Sequence, residues 1–196
     1  MMNGRNPMRV MCLLMACGMV VVACDDGREP ASPRGASAQE ITRCDAQTLE
    51  SDLDAAPFVG PAADEATSTL RLEPGATYIV SSTYGVPKPG ASGGPTERYL
   101  GLFGAIEAQL QQEPGLLALQ LASSDACRSG RTLAVWRSEE EMLHFVTSPA
   151  HLDAMRAASE VLEPGYEVTH WTIEGGDAVD FRAAVARLGR EIGTGP

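Results

Sequence analysis

Three histidines, four tyrosines and two tryptophans are the side chains of this sequence suited to proton chemistry against aromatic walls. The candidates for such work are His144, His151, His170, Tyr78, Tyr84, Tyr99 and Trp136. A neutral imidazole is the only side chain whose unperturbed pKa lets it take up and release a proton near pH 7. Each candidate also has a structural reading. Trp136 and Trp171 suit a core or a subunit interface, His144 follows a glutamate-rich helix start and reads as solvated, and His151 falls in the first turn of its helix. His144 and His151 are seven apart, but Pro149 interrupts the helix between them, so the pair does not form a metal site. The segment 85–95 (GVPKPGASGGP) has no phosphate-loop pattern and reads as a flexible connection placed to act as a lid. No Ser-His-Asp signature and no zinc motif occurs.

The elements that position these residues are punctuated by three Glu-Pro-Gly triplets, at 73–75, 113–115 and 163–165. Proline fixes φ and glycine accepts positive φ, which suits the two central positions of a type II turn. Each triplet precedes a run rich in β-branched or apolar residues: 76–84, 116–122 and 166–174. A fourth run, 131–137, follows a Ser/Asp/Gly-rich turn. On the first strand Tyr78, Val80, Ser82 and Tyr84 share a face; on the last, Tyr166, Val168, His170 and Thr172 do. A pocket on the open face of the sheet would be lined by Tyr84, Trp136 or His170.

Helical patterns fill the gaps. Thr96 caps a helix running to Gln112. Ser138 and Glu141 form a capping box for a helix to about Val146, and Pro149 at the first helical position starts the next piece. The last amphipathic stretch, 179–192, aligns Phe181, Val185, Leu188 and Ile192. The order β-α-β-β-α-β plus a C-terminal helix predicts an α+β, ferredoxin-like fold, an antiparallel sheet with helices on one face.

The N-terminal residues read as targeting rather than fold. Arg5 and Arg9 precede the uncharged stretch 10–23 (VMCLLMACGMVVVA), which is short for a membrane span and long enough for a signal-peptide apolar region. It ends Val21-Val22-Ala23-Cys24, which resembles a bacterial lipobox with Cys24 as the lipidated residue. The domain organisation expected is therefore 1–23 leader, 24–40 anchor and disordered Pro/Ser/Ala/Gly tether, 41–72 N-terminal extension with a short helix near 46–53, and 73–196 the folded domain. The implied location is the bacterial cell envelope, held to the membrane through Cys24 and facing periplasm or exterior. Loss of Arg5 and Arg9 with the leader deepens the net charge from −11 to −13. That acidity argues against nucleic acid as a partner. Of five cysteines, Cys44 and Cys127 then remain, and in an exported domain they read as a disulfide.

One segment carries a family likeness. Leu133 to Glu141 (LAVWRSEEE), then Phe145, then Thr147 to His151 (TSPAH), resembles the V-W-x-S-x-E…S-P-x-H stretch of antibiotic-biosynthesis-monooxygenase-like proteins, which are dimeric α+β barrels. The resemblance implies a homodimer and either a cofactor-independent oxygenase or a binder of small aromatic or apolar ligands. His151, His170, Trp136 and Tyr84 are its candidate catalytic residues. The haem-degrading members of that superfamily use a helical His, a Trp and an Asn; here the ligand position falls near Met155, His151 sits one turn earlier, and no asparagine follows Asn6. Haem is therefore disfavoured, and no cofactor and no metal is expected. The alternative is a non-catalytic envelope lipoprotein, a ligand-binding or structural module that kept the fold without the site. Replacement Cys24→Ser is expected to shift the protein from the membrane to the soluble fraction; persistent membrane association would refute lipidation there.

Overall fold

Four long strands and three amphipathic helices build the domain because alternation and turn chemistry agree along the chain. The computed structural model describes residues 43–188, apart from 65 and 91–93. The leader, Cys24, the tether, part of the 85–95 connection and Ile192 lie outside the described residues. The elements in order are β1 (Asp54–Ala55), β2 (Ala63–Asp64), β3 (Thr69–Leu70), β4 (Thr77–Gly85), α1 (Pro95–Leu110), β5 (Leu116–Ser124), β6 (Ser129–Trp136), α2 (Glu139–Val146), α3 (Pro149–Val161), β7 (Glu167–Glu174) and α4 (Phe181–Val185). The main sheet is antiparallel in the order β1-β5-β6-β4-β7. Its four long strands have the ferredoxin-like arrangement that the element order predicts, and β1 adds a short edge beside β5.

Local rules explain most boundaries. Gly75 and Gly165 sit at φ +77° and +95°, as the first and third Glu-Pro-Gly turns require. The middle triplet differs: a Cβ on Gly115 would stand 2.3 Å from the Cβ of Glu141, so close approach rather than backbone angle demands glycine there. Ser138 and Ser148 cap α2 and α3, accepting from Glu141 N and His151 N, as the residue types predict. Thr96 does not cap α1. The cap is Gly94, one position before the helix begins at Pro95, and the Thr96 hydroxyl donates instead to the Lys88 carbonyl at 3.0 Å.

Register divides the sheet's side chains into two sets. Val80 opposes Val135 and Trp171, and Ser82 opposes Leu133. With Ala118, Ala122 and Ile173 they form one core, which also takes in Phe58 before the sheet and Phe181 and Ala184 of α4. On the other face Ile79, Ala134 and Trp136 pack with Met142 and Phe145 of α2 and with Ile106 and Leu110 of α1. The helix-free face is thus not open. Residues 43–72, hereafter the strap, and α4 cover it with the chain's own apolar residues, Leu49, Leu53, Leu70 and Leu72 among them. The centre of the face on which the sequence leaves room for an open pocket is therefore filled.

Two long-range links fix the strap. Cys44 and Cys127 form the expected disulfide, joining residues 83 apart with Cα atoms at 5.3 Å. The Arg131 guanidinium meets the Glu50 carboxylate at 2.8 Å with both side chains fully buried. Arg131 also donates to the carbonyls of Asp45, Ala46 and Thr48, and Ser129 Oγ donates to the second Glu50 oxygen. The short helix expected near 46–53 is absent, replaced by turns. The physical reason is competition: carbonyls that would accept from residues four further on are taken by the guanidinium. Removing one partner of such a pair leaves an uncompensated buried charge. Glu50→Ala is expected to destabilise the fold by about 3–5 kcal/mol, read as a lower denaturation midpoint; a change below about 1 kcal/mol would show the pair to be dispensable.

Candidate functional site

Helix-side residues of β4 and β6 meet the start of α3 in a column of aromatic rings. Trp136 ends β6 on the helix-covered face and is 1% exposed. Its indole N–H donates to Ser81 Oγ at 2.9 Å, because Ser81 lies on the same face of the neighbouring strand. The Phe145 ring, delivered by α2, stacks on Trp136 with centroids 5.3 Å apart. His151 meets Phe145 edge-on at 4.9 Å. The capping serine of α3 sets this geometry: Pro149 and Ser148 end one helix and start the next, turning His151 back toward the strand–helix junction.

The imidazole of His151 has a defined tautomer. Its Nδ1 lies 3.0 Å from the Val146 carbonyl. A carbonyl only accepts, so Nδ1 carries the proton and Nε2 presents the lone pair. Burial pushes the His151 pKa below its ordinary value, outweighing the opposite effect of that hydrogen bond. The ring is therefore a neutral base near pH 7, backed by aromatics and oriented by a main-chain acceptor.

The other candidates distribute around this column. His170 on β7 is directly opposite Ser81 in register and exposed, so it shares the helix-side face at the sheet's edge. Val168 beside it is 67% exposed. Tyr99 of α1 stands over Gly130, its hydroxyl 4.0 Å from where a Cβ would be, and burial raises its pKa. Thr83 and Thr132 share a hydrogen bond on the same face at 2.7 Å. Tyr84 does not join them. It pairs with Arg131 and Glu167 on the opposite face, where the Arg131 guanidinium covers its ring at 4.5 Å. Tyr84, Trp136 and His170 thus do not line one pocket; β-strand parity separates Tyr84 from the other two. Tyr78 is on that far face as well, its hydroxyl accepting from Glu73 N.

His144 belongs to a different arrangement. Its Nδ1 is 2.9 Å from the Glu113 carboxylate, which is 1% exposed while the imidazole is 70% exposed. Gln109 donates to the other Glu113 oxygen. The first residue of a Glu-Pro-Gly turn is thus a buried acceptor, which turn chemistry alone did not signal. Ser81 was missed too; its only trace in the sequence is a pair of serines inside a β-branched run. Among the described residues no group of three His, Cys, Asp or Glu is placed to hold a metal.

Residues 88–157 match the family model described as antibiotic biosynthesis monooxygenase. The match takes in Tyr99, Trp136, Phe145 and His151, but neither Ser81 nor His170. No curated protein matches the chain. Among solved structures, Rv0793 from Mycobacterium tuberculosis is 17% identical, with 53% of this chain and 96% of that one covered and a TM-score of 0.43. PA3566 from Pseudomonas aeruginosa is 16% identical over 51% of this chain and 95% of that one, TM-score 0.41. SnoaB, a cofactor-independent oxygenase from Streptomyces nogalater, is 17% identical over 53% and 96%, TM-score 0.38.

The two imidazoles predict opposite pH dependences. The hydrogen bond and charge of Glu113 raise the His144 pKa, so its stabilisation is present below the unfolded value near 6.5 and fades as pH rises through the folded value. The His151 pKa is lowered, so the fold loses stability as pH falls below about 6.5 and the unfolded state takes up the proton more readily. Denaturation from pH 5 to 9 should therefore show His144→Gln removing stability mainly on the acid side. His151→Gln should instead flatten the acid loss. Parallel curves for both variants would contradict the assignment.

Proposed function

We propose that this antibiotic-biosynthesis-monooxygenase-like domain acts on a small aromatic substrate at the helix-side face, with His151 as the base and no resident cofactor. The carrying observation is the His151 imidazole: proton held on Nδ1 by the Val146 carbonyl, neutral, and seated edge-on against Phe145, which in turn stacks on Trp136. Such a base takes a proton from an acidic methylene or phenol and leaves a delocalised anion that transfers an electron to dioxygen. For an anthrone-type methylene the balance is CH2 plus O2 to C=O plus H2O. The proton taken by His151 Nε2 returns to the departing hydroxide to complete the water. In this reading His170, opposite Ser81 at the sheet edge, contacts the substrate's outer rim. Tyr84 has no part in this step, since it stands on the other face.

Haem does not fit these residues. The position expected for a ligand is Met155, which is 56% exposed, and no asparagine follows Asn6. The non-catalytic alternative is favoured by one observation, the near-complete burial of Trp136, since a packed indole serves a core as well as a site. Envelope attachment through Cys24 belongs to the same reading. So does a homodimer, formed on a surface other than the helix-free face that the strap occupies; a monomer mass in sedimentation equilibrium would remove that part.

Oxygen-electrode measurements with a dihydroxyanthrone are expected to show uptake. His151→Ala should lower kcat by roughly 10²–10⁴-fold, the range a general base contributes, with His170→Ala mainly raising KM. Absence of uptake across a panel of anthrones and quinols, with and without added haem, would leave the non-catalytic module as the reading.

A further inference from the structure

The two edges of the main sheet are finished differently. Along β5 the strap takes up the outer hydrogen-bonding groups. Asp54 and Ala55 pair with it, Ala56 N donates to Leu121, Val59 and Leu119 exchange both bonds, and Ala62 N donates to Leu117. At the other edge β7 pairs with β4 along its 8 residues without a bulge, and among the described residues no strand pairs with its outer side. Edge strands are ordinarily blunted by lysine, proline or a bulge. Glu167–Glu174 contains none of these, and its two charges stand at its ends.

Ladder alternation identifies the free groups. Gly175 N donates to Ala76 O at the foot of the β4–β7 ladder, so odd-numbered residues of β7 bond inward to β4 and even-numbered ones point outward. The outward residues are Val168, His170, Thr172 and Glu174. Glu174 N is already capped, donating to Asp177 Oδ2 at 2.9 Å. Val168, His170 and Thr172 remain, each with an outward N–H and C=O. Their side chains share the helix-side face and are exposed, Val168 at 67%.

We propose that this edge pairs with the β7 edge of a second copy of the chain, across a two-fold axis at His170, making one continuous sheet. The proposal rests on the homodimer of the reading above and gives it a surface. Directly opposite residues of an antiparallel pair share a face, so a two-fold normal to the sheet must pass beside a residue and not between two. That rule excludes the end-to-end register, which alone sets Glu167 against Glu174. The axis at His170 uses the free set in full: Val168 faces Thr172 of the partner subunit, and His170 faces His170 of the partner subunit. Each such pair exchanges both backbone bonds. An axis at Trp171 sets Val168 against Glu174 of the partner subunit, whose amide Asp177 already holds. An axis at Thr169 spends Thr172 on Tyr166 of the partner subunit, which precedes the strand. With the axis at His170, Glu174 meets Tyr166 of the partner subunit and Glu167 meets Ile173 of the partner subunit, so like charges stay apart. The strap closes the β5 edge of each copy, so pairing stops at a closed dimer and does not grow into a fibre.

Sedimentation equilibrium and amide hydrogen exchange on the full chain test this. A dimer mass is expected, with the amides of Val168, His170 and Thr172 protected and their protection fading on dilution. Val168→Lys puts a charge on the edge at an exposed position, and Thr172→Pro removes an N–H that the β4 ladder does not use. Each should raise the dimer dissociation constant at least about tenfold and leave the circular dichroism of the fold unchanged. Where a variant fails to fold, exchange in the unaltered chain decides. A dimer with rapid exchange at these three amides, or one indifferent to both substitutions, would overturn this surface and leave the homodimer standing. A monomer at every concentration would overturn both, and the same amides protected in a monomer would show that another segment occupies the edge.

Discussion

A guanidinium shut away from water organises this domain. Arg131 projects from β6, the middle strand of the sheet, onto the helix-free face, where its own strand offers Leu133 and Val135 and β4 offers Val80 rather than counter-charge. Among the described residues, every hydrogen bond of its guanidinium goes to the strap: the Glu50 carboxylate and the carbonyls of Asp45, Ala46 and Thr48. Tyr84 supplies an aromatic face beside it. A planar donor fork of this kind demands acceptors in fixed directions, so it dictates the strap's path as well as its attachment. Once those residues are in place, Asp52 reaches Ser124 and the amide of Ala126, and the apolar remainder of the strap falls across the sheet.

That placement turns a two-layer module into three layers. Helices α1 to α3 cover one face, the sheet lies between, and strap plus α4 form the third layer. The two faces carry different chemistry as a consequence. The helix side holds Trp136, Phe145 and His151 with small hydroxyl groups along β4 and β6. The strap side holds a buried ion pair, two aromatic–arginine contacts and a rim of carboxylates.

How much of this was legible depended on the range of the interaction. The outer two Glu-Pro-Gly turns, the serine caps of α2 and α3, strand alternation and the ferredoxin-like order are local signals, and each appears in the structure within a residue or two. Cys44 and Cys127 were paired by elimination, and they are bonded. Parity between strands was not legible. Tyr84 and His170 each sit correctly within their own strand, but which alternate set faces the helices is decided by register with β6, and no single strand contains that information. Glu50 gave no signal, because a lone glutamate in an irregular stretch looks solvated until a distant arginine is known to need it. Thr96 had the residue type of a cap, yet Gly94 took the position and left the threonine to hold the preceding loop. The missing helix at 46–53 is the same lesson: adequate local propensity lost to a tertiary competitor.

The wide spacing of the strap's partners also sets an order of events. Glu50 and Arg131 are 81 residues apart, and Asp52 and Ser124 72. Contacts of such separation form late, after the hairpin and its neighbouring strands have supplied a surface, because the intervening chain must first be ordered. The strap precedes that surface in the chain, so a ribosome releases it well before its docking place exists. The earliest part of the domain to emerge is therefore the last to settle. Until it does, the apolar face it will cover is bare, a period in which association with other chains competes with folding.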